Sequence, residues 1–301
     1  MLSLSCCYNL LQCSSSCKLS LPLLPTTHAF TATPLRSRNE APPINFVVAY
    51  TNTIHGSNNI KNSNSRLYSL KPAAVPLMDC GKALARSGEL LIDLTTSLGI
   101  YGGSLSAMGA NVRNCGDCLA QAAASCRFKT GVELVTDELR EVIHLFCFTT
   151  ATTKTCVGAD CLKEGSIKLQ SAVQESEVDN NTELMLKIDT MISPMKLAAY
   201  HLEEAGASLM KREKVDALGK QLICCGEALE VLATKVLELS ALEDASSSIS
   251  EDGATTAPGK LSSQRMLYAS QQMVLAGKEL TTAGDEKTSG PKGKSWIKQG
   301  R

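Results

Sequence analysis

Glycine recurs at every seventh position over a long stretch of this chain, and that spacing limits the fold more than any other feature. Stepping by seven from Gly81 gives Gly81, Gly88, Thr95, Gly102, Gly109, Gly116, Ala123 and Thr130, five glycines and three other small residues. With 21 glycines in 301 residues, chance would put fewer than one in eight positions. A second column, Leu77, Leu84, Leu91, Leu98, Leu105, Val112, Leu119 and Cys126, is apolar throughout. The columns lie three residues apart, so on a helix they share one face. Seven residues is the repeat of packed helices. Glycine inside a helix costs about 1 kcal/mol against alanine. A stripe of it is offset only where a second backbone comes close enough that no Cβ could stand between them. The pattern therefore predicts helices packed at short separation, with leucine filling the adjacent holes.

The same grammar returns later in the chain. Gly219, Gly226 and Ala233 accompany Leu222, Leu229 and Val236, and Ala199 and Gly206 accompany Leu202 and Leu209. No fixed long period links these copies, so a solenoid is not expected. Aromatic residues are only 4% of the chain, which leaves Leu, Val, Ala, Gly, Met and Cys to build the core. That composition excludes a β-sandwich reading and favours close helices. The fold class expected is all-α, an antiparallel bundle of about five to seven helices.

Helices are expected over about 77–98, 104–128, 132–146, 160–174, 194–242 and 261–281. "GIYGG" at 99–103 reads as a hairpin turn between the first two, because an unbroken helix of some 50 residues would run about 75 Å. Ser193-Pro194 reads as a helix start, with serine as cap and proline in the first turn. "KREK" at 211–214 reads as a bend. "DNNTE" at 179–183 reads as a linker or cap. The Thr-rich "FCFTTATTKTCVGA" at 146–159 is β-prone and reads as a loop interrupting the helical pattern. Joining Glu141 directly to Asp160 would give continuous helical sequence, so 142–159 also reads as a gene-model artefact such as a retained intron.

Up to Met78 the chain has one acidic residue, Glu40, and is rich in Ser, Thr, Asn and Pro. That is the composition of an organellar transit peptide. No basic residue precedes Lys18, which disfavours a mitochondrial presequence and leaves the chloroplast as the expected destination, with the mitochondrion as alternative. The organisation expected is a transit or disordered segment over 1–75, a helical domain over 76–284 and a basic tail over 285–301. Formal net charge is zero, so no global field points to nucleic acid, and no apolar run reaches the length of a membrane-spanning helix. The chain is expected to be soluble.

Chemistry-bearing motifs are few. Cys115-Gly116-Asp117-Cys118 resembles a redox spacing, yet no strand precedes it, and Gly116 belongs to the packing column. Packing is the simpler role for its cysteines. Cys156 and Cys161 could complete a four-thiolate zinc set with Cys115 and Cys118, although strong zinc signatures have tighter knuckles. Glu141-Val-Ile-His144 is a Glu-x-x-His string of the kind used in di-iron bundles, but His201, the only other histidine in the helical region, has Ala198 three residues before it. "GPKGKS" at 290–295 lacks phosphate-loop spacing. No catalytic triad can be assembled.

These observations lean away from an enzyme, and no cofactor is implied. The leading expectation is a non-enzymatic organellar scaffold or assembly protein that binds a protein partner, or a second copy of itself, through heptad helix faces. The packing residues expected are Gly81, Gly88, Gly102, Gly109, Gly116, Gly219 and Gly226 with Leu84, Leu91, Leu105, Leu119, Leu222 and Leu229. A Cys-rich redox or metal-binding protein built on Cys115, Cys118, Cys156, Cys161 and His144 is the alternative. Peripheral lipid association ranks third, because the helix faces carry small residues where lipid-binding faces carry bulky ones.

Overall fold

A computed structural model describes residues 70–100, 103–127, 137–211, 214–246 and 257–288. Six helices account for nearly all of them: α1 (Ala74–Ser97), α2 (Ser104–Arg127), α3 (Asp137–Val178), α4 (Thr182–Met210), α5 (Val215–Ser246) and α6 (Pro258–Thr288). Each packs on the next in sequence, and α6 packs back on α1, which closes the six into a ring. Every neighbouring pair is antiparallel. No strand occurs among the described residues. No helix among them is long and apolar enough to cross a membrane.

The glycine columns form the α1/α2 seam. A Cβ on Gly81 would stand 2.6 Å from the Gly116 carbonyl oxygen, and one on Gly88 would stand 2.6 Å from that of Gly109. The heptad phase survives the turn for a simple reason. Gly81 and Gly116, and likewise Gly88 and Gly109, are equidistant from Leu98–Gly99, so folding the chain there sets each glycine against its mirror position. The α5/α6 pair repeats the device. A Cβ on Gly219 would lie 2.5 Å from the Gly277 carbonyl oxygen, and one on Gly277 equally close to that of Gly219. Leu84, Leu91, Leu105, Leu119, Leu222 and Leu229 are all buried in the same continuous core.

Small polar side chains stitch these close seams. Ser87 on α1 and Ser262 on α6 are fully buried, with their hydroxyls 2.9 Å apart. Each hydroxyl also lies 3.0 Å from the other residue's carbonyl oxygen, within donating distance. Ser263 donates to the Ala233 carbonyl at 2.7 Å across α6/α5, and the Cys225 thiol to that of Ala198 at 3.4 Å across α5/α4. Buried hydroxyls and thiols thus keep hydrogen-bond partners without bulk that would spread the helices.

The turns follow standard capping chemistry. Gly99 has φ +73°, and the Gly99 and Ile100 amides donate to the Thr96 and Thr95 carbonyls at 3.0 and 2.8 Å. This is a Schellman stop with glycine in the left-handed position. Asn180, φ 54°, plays that part at the end of α3. Asn181 then caps α4, its side-chain oxygen accepting from the Leu184 amide at 3.1 Å. The Glu175 carboxylate, near the end of α3, accepts from the first amide of α2 at Ser104, 3.1 Å away, where the helix dipole favours a negative charge.

Two expectations are corrected. Residues 146–159 are no loop: they run inside α3, which is continuous from Asp137 to Val178. Their apolar face, Cys147, Phe148, Ala151 and Ala159, belongs to the core. The β-prone threonines are accommodated because their hydroxyls fold back onto carbonyls four residues earlier, Thr149 to Leu145 at 2.9 Å, Thr152 to Phe148 at 3.0 Å and Thr155 to Ala151 at 2.8 Å. Burial outweighs propensity here. These turns pack against α2 and α4, with Gly158 beside Cys115 and Leu202, and Cys156 beside Gly206. Second, Pro194 starts no helix. It lies inside α4, buried, while Ser193 is exposed and the true cap is Asn181. The "KREK" bend coincides with the break between α4 and α5. The last helix extends past the expected end at 281 to Thr288.

Candidate thiol site

Nine cysteines lie among the described residues, all as free thiols, and the helices sort them by depth. Cys80 on α1, Cys115 on α2 and Cys225 on α5 have no exposure and face one another at the bundle centre. Burial, reinforced by the neighbouring thiols, pushes Cys115 well up and Cys225 up to about 12. Burial also pushes Cys126 up to about 12. These groups stay protonated, and as small apolar side chains they fill space beside the glycine seams.

Cys118 is different. It lies one helical turn beyond Cys115 on α2, and the influence that most lowers its pKa is the Cys161 side chain on α3. Burial opposes it, the Lys154 ammonium assists it, and the Asp117 carboxylate opposes it. Lys154 is itself 7% exposed, an unusual burial for a lysine. It precedes Cys161 by seven residues on α3, which places both on one face.

The Cys-x-x-Cys spacing therefore makes no pair. Cys115 enters the centre, and the thiol that acts most on Cys118 belongs to another helix. The four-thiolate set is also divided. Cys161 acts on Cys118, Cys115 is sealed inside, and Cys156 lies against Gly206 of α4, with Asp160 and Glu203 beside it. Among the described residues no three His, Cys, Asp or Glu side chains converge as metal ligands. The zinc reading is thus corrected: the residues fold apart because one α-helical turn sends Cys115 and Cys118 to different neighbours. Glu141 and His144 lie on α3, but their side chains fall outside the described residues. His201, their expected counterpart, has Nδ1 2.9 Å from the Gln221 side-chain oxygen on α5.

The buried Lys154 escaped the sequence reading, which joined Cys118 and Cys161 only as half of a four-thiolate set. The available signal was the seven-residue spacing from Lys154 to Cys161, visible only once 146–159 is placed in a helix.

The expected packing residues that are described lie inward. Gly81, Gly88, Gly109 and Gly116 serve the α1/α2 seam, and Gly219 and Gly226 the α5/α6 seam. Gly102 lies outside the described residues. These contacts are made within the chain, so those side chains are not available to a partner while the bundle is closed. A small cavity of about 30 Å³ remains at one end of the ring, lined by Leu70, Leu77, Leu119, Leu209, Leu218 and Leu280 among others. Its almost wholly apolar walls offer a water molecule too few hydrogen-bond partners to hold it there. It is a packing defect at the point where six helices converge.

Outward, exposed large apolar side chains occur on α1, α3, α4, α5 and α6, and α4 carries four of them, Leu186, Leu197, Tyr200 and Met210. Leu186, Leu197 and Tyr200 are 62%, 49% and 55% exposed. Leu186 and Leu197 are about three helical turns apart, and Tyr200 adjoins Leu197, so the three share a face. Compared with protein-family models, with curated proteins and with solved structures, the chain matches none.

Proposed function

We propose that this protein is a non-enzymatic helical scaffold or assembly protein of the chloroplast, which binds a protein partner through the outer face of α4. The observation that carries this reading is the exposed row Leu186, Leu197 and Tyr200. A helix in a closed bundle has no need of large apolar groups on its solvent side, and such a row is what an amphipathic partner helix docks against. The Gly and Leu columns supply the rigid frame beneath it. This assigns the partner surface to residues other than the heptad columns, which are consumed inside. The acid-poor N-terminal segment supports the chloroplast address.

The test is affinity isolation of the tagged chain from fractionated organelles, beside the Leu186→Glu/Leu197→Glu variant. The expected result is a recurrent stoichiometric partner, or a second copy of the chain, that the variant loses without a change in melting temperature. A wild-type protein that is monomeric and partner-free in chloroplast extract overturns the reading. So does a partner retained equally by the variant.

A further inference from the structure

We propose that α4 pairs with α4 of a second copy of this chain, antiparallel across a twofold axis that passes Ser193. This deepens the reading of α4 as the binding face and rests on it. The charges name the occupant. Asp189 and Lys196 are both exposed, and neither side chain makes an ion pair or hydrogen bond among the described residues. Lys187 on the same helix, by contrast, pairs with Glu183 at 3.4 Å. Asp189 and Lys196 are seven residues apart, about 10 Å along the axis, too far to pair within one helix. The same spacing puts them on one flank of the outer face. An antiparallel second copy brings Lys196 opposite Asp189, and the twofold makes that contact twice.

The rest of the face fits the same axis. Leu186, Ser193 and Tyr200 follow at steps of seven and form its midline. Ser193 is exposed and small, so two copies can come close at the axis. Leu186 and Tyr200 stand equally far from Ser193 on either side, and the twofold lays Leu186 of each copy beside Tyr200 of the other. On the flank away from the ion pairs, Leu197 comes opposite Thr190. Glu183 and Glu203 are also equally far from Ser193, but on opposite flanks, so these like charges do not meet. A parallel pair leaves Asp189 opposite Thr190 and Lys196 opposite Leu197, with both charges unanswered. A single helix face is smaller than the roughly 800 Å² that each partner gives to a standard interface, so the dimer is expected to be weak and to dissociate on dilution.

The test follows the reduced full chain by sedimentation equilibrium up to about 100 μM, a range that reveals micromolar affinity. The expected result is a monomer–dimer equilibrium. Asp189→Lys and Lys196→Asp should each weaken it about tenfold or more, since each turns two attractive contacts into two repulsive ones. An equimolar mixture of the two variants should recover the dimer, because every contact between unlike chains is again attractive. That recovery also shows that both variants fold. Ser193→Cys should link to its own copy under mild oxidation, with peptide mapping placing the bond at position 193 of both chains. Packed helices about 8–10 Å apart set facing Cα atoms about 4–5 Å from each other, within disulfide reach. A chain that is monomeric throughout the range overturns the proposal, as does a dimer unmoved by either reversal. So does a mixture of the two variants that stays monomeric while circular dichroism shows both folded. The reading of α4 as the binding face fails separately. A monomeric chain whose partner from extract is lost in Leu186→Glu/Leu197→Glu refutes the second copy alone, whereas a partner kept by that variant refutes the face itself.

Discussion

The α1/α2 seam makes an opposite-sign prediction for two glycines that local helix propensity treats alike. Gly88 and Gly158 both lie inside helices, where replacing glycine by alanine ordinarily gains about 1 kcal/mol. At Gly158 the new Cβ would meet the Cys115 sulfur and a Leu202 methyl at 3.6 Å, ordinary van der Waals contact. Gly158→Ala should therefore keep the whole gain. At Gly88 the Cβ would lie 2.6 Å from the Gly109 carbonyl oxygen and 2.8 Å from the Arg113 Cα, both backbone atoms of α2. Neither can rotate away, so the helices must part by several tenths of an ångström. Overpacking of this kind costs about 1–3 kcal/mol. Opening a seam by 0.5–1 Å forfeits roughly a quarter to a half of its dispersion energy as well. Against the propensity gain of about 1 kcal/mol, Gly88→Ala should be net destabilising by about 1–2 kcal/mol. For a folded unit of this size each kcal/mol moves the melting temperature by about 2–4 °C. Thermal melts followed by circular dichroism should thus show Gly158→Ala up by about 2–4 °C and Gly88→Ala down by about 2–8 °C. Equal stabilisation by both variants would refute the claim that the glycine column exists for backbone approach.

Two further predictions test the core directly. Deleting residues 142–159 removes about five helical turns, roughly 27 Å, so the face of α3 stays in phase while Cys147, Phe148, Ala151 and Ala159 leave the core. The shortened chain should lose its cooperative melt; a transition within a few degrees of wild type would show that these turns are dispensable. The buried thiols predict alkaline lability. Unfolded cysteine ionises near about pH 8.5, whereas Cys126 and Cys225 hold their protons up to about 12 in the folded protein. Above the unfolded pKa the unfolded chain binds fewer protons, so stability is intact below about pH 8 and is lost as pH rises toward 12, by up to about 1.4 kcal/mol per pH unit for each thiol. Urea midpoints at pH 8 and pH 10 should differ by less in Cys225→Ala than in wild type, and an unchanged difference would rule Cys225 out as a contributor.

What could be read in the chain, and what could not, divides by the range of the physics involved. The glycine columns were legible because close approach leaves a periodic mark. An antiparallel hairpin carries that mark on both arms at equal distances from its turn. Gly81 and Gly116 stand so about Leu98–Gly99, and Gly219 and Gly277 about residue 248 in the Ser-rich segment. The stop at Gly99 is local hydrogen-bond chemistry and was legible for that reason, whereas the sequence marked 179–183 only as a linker or cap and placed the helix start at Ser193 in place of Asn181. The failures arise where tertiary burial overrules a local rule. Pro194 lacks the amide a helix interior uses, and a proline there ordinarily costs about 3 kcal/mol. It is tolerated in α4 with buried Met191, Met195 and Ala198 packed on either side of it. The threonines of 146–159 have β-propensity, yet back-bonding and the burial of Phe148 and Ala151 hold them in α3. The same error hid the placement of Lys154 and Cys161 on one face of α3, since their seven-residue spacing can be read only once 146–159 is helical.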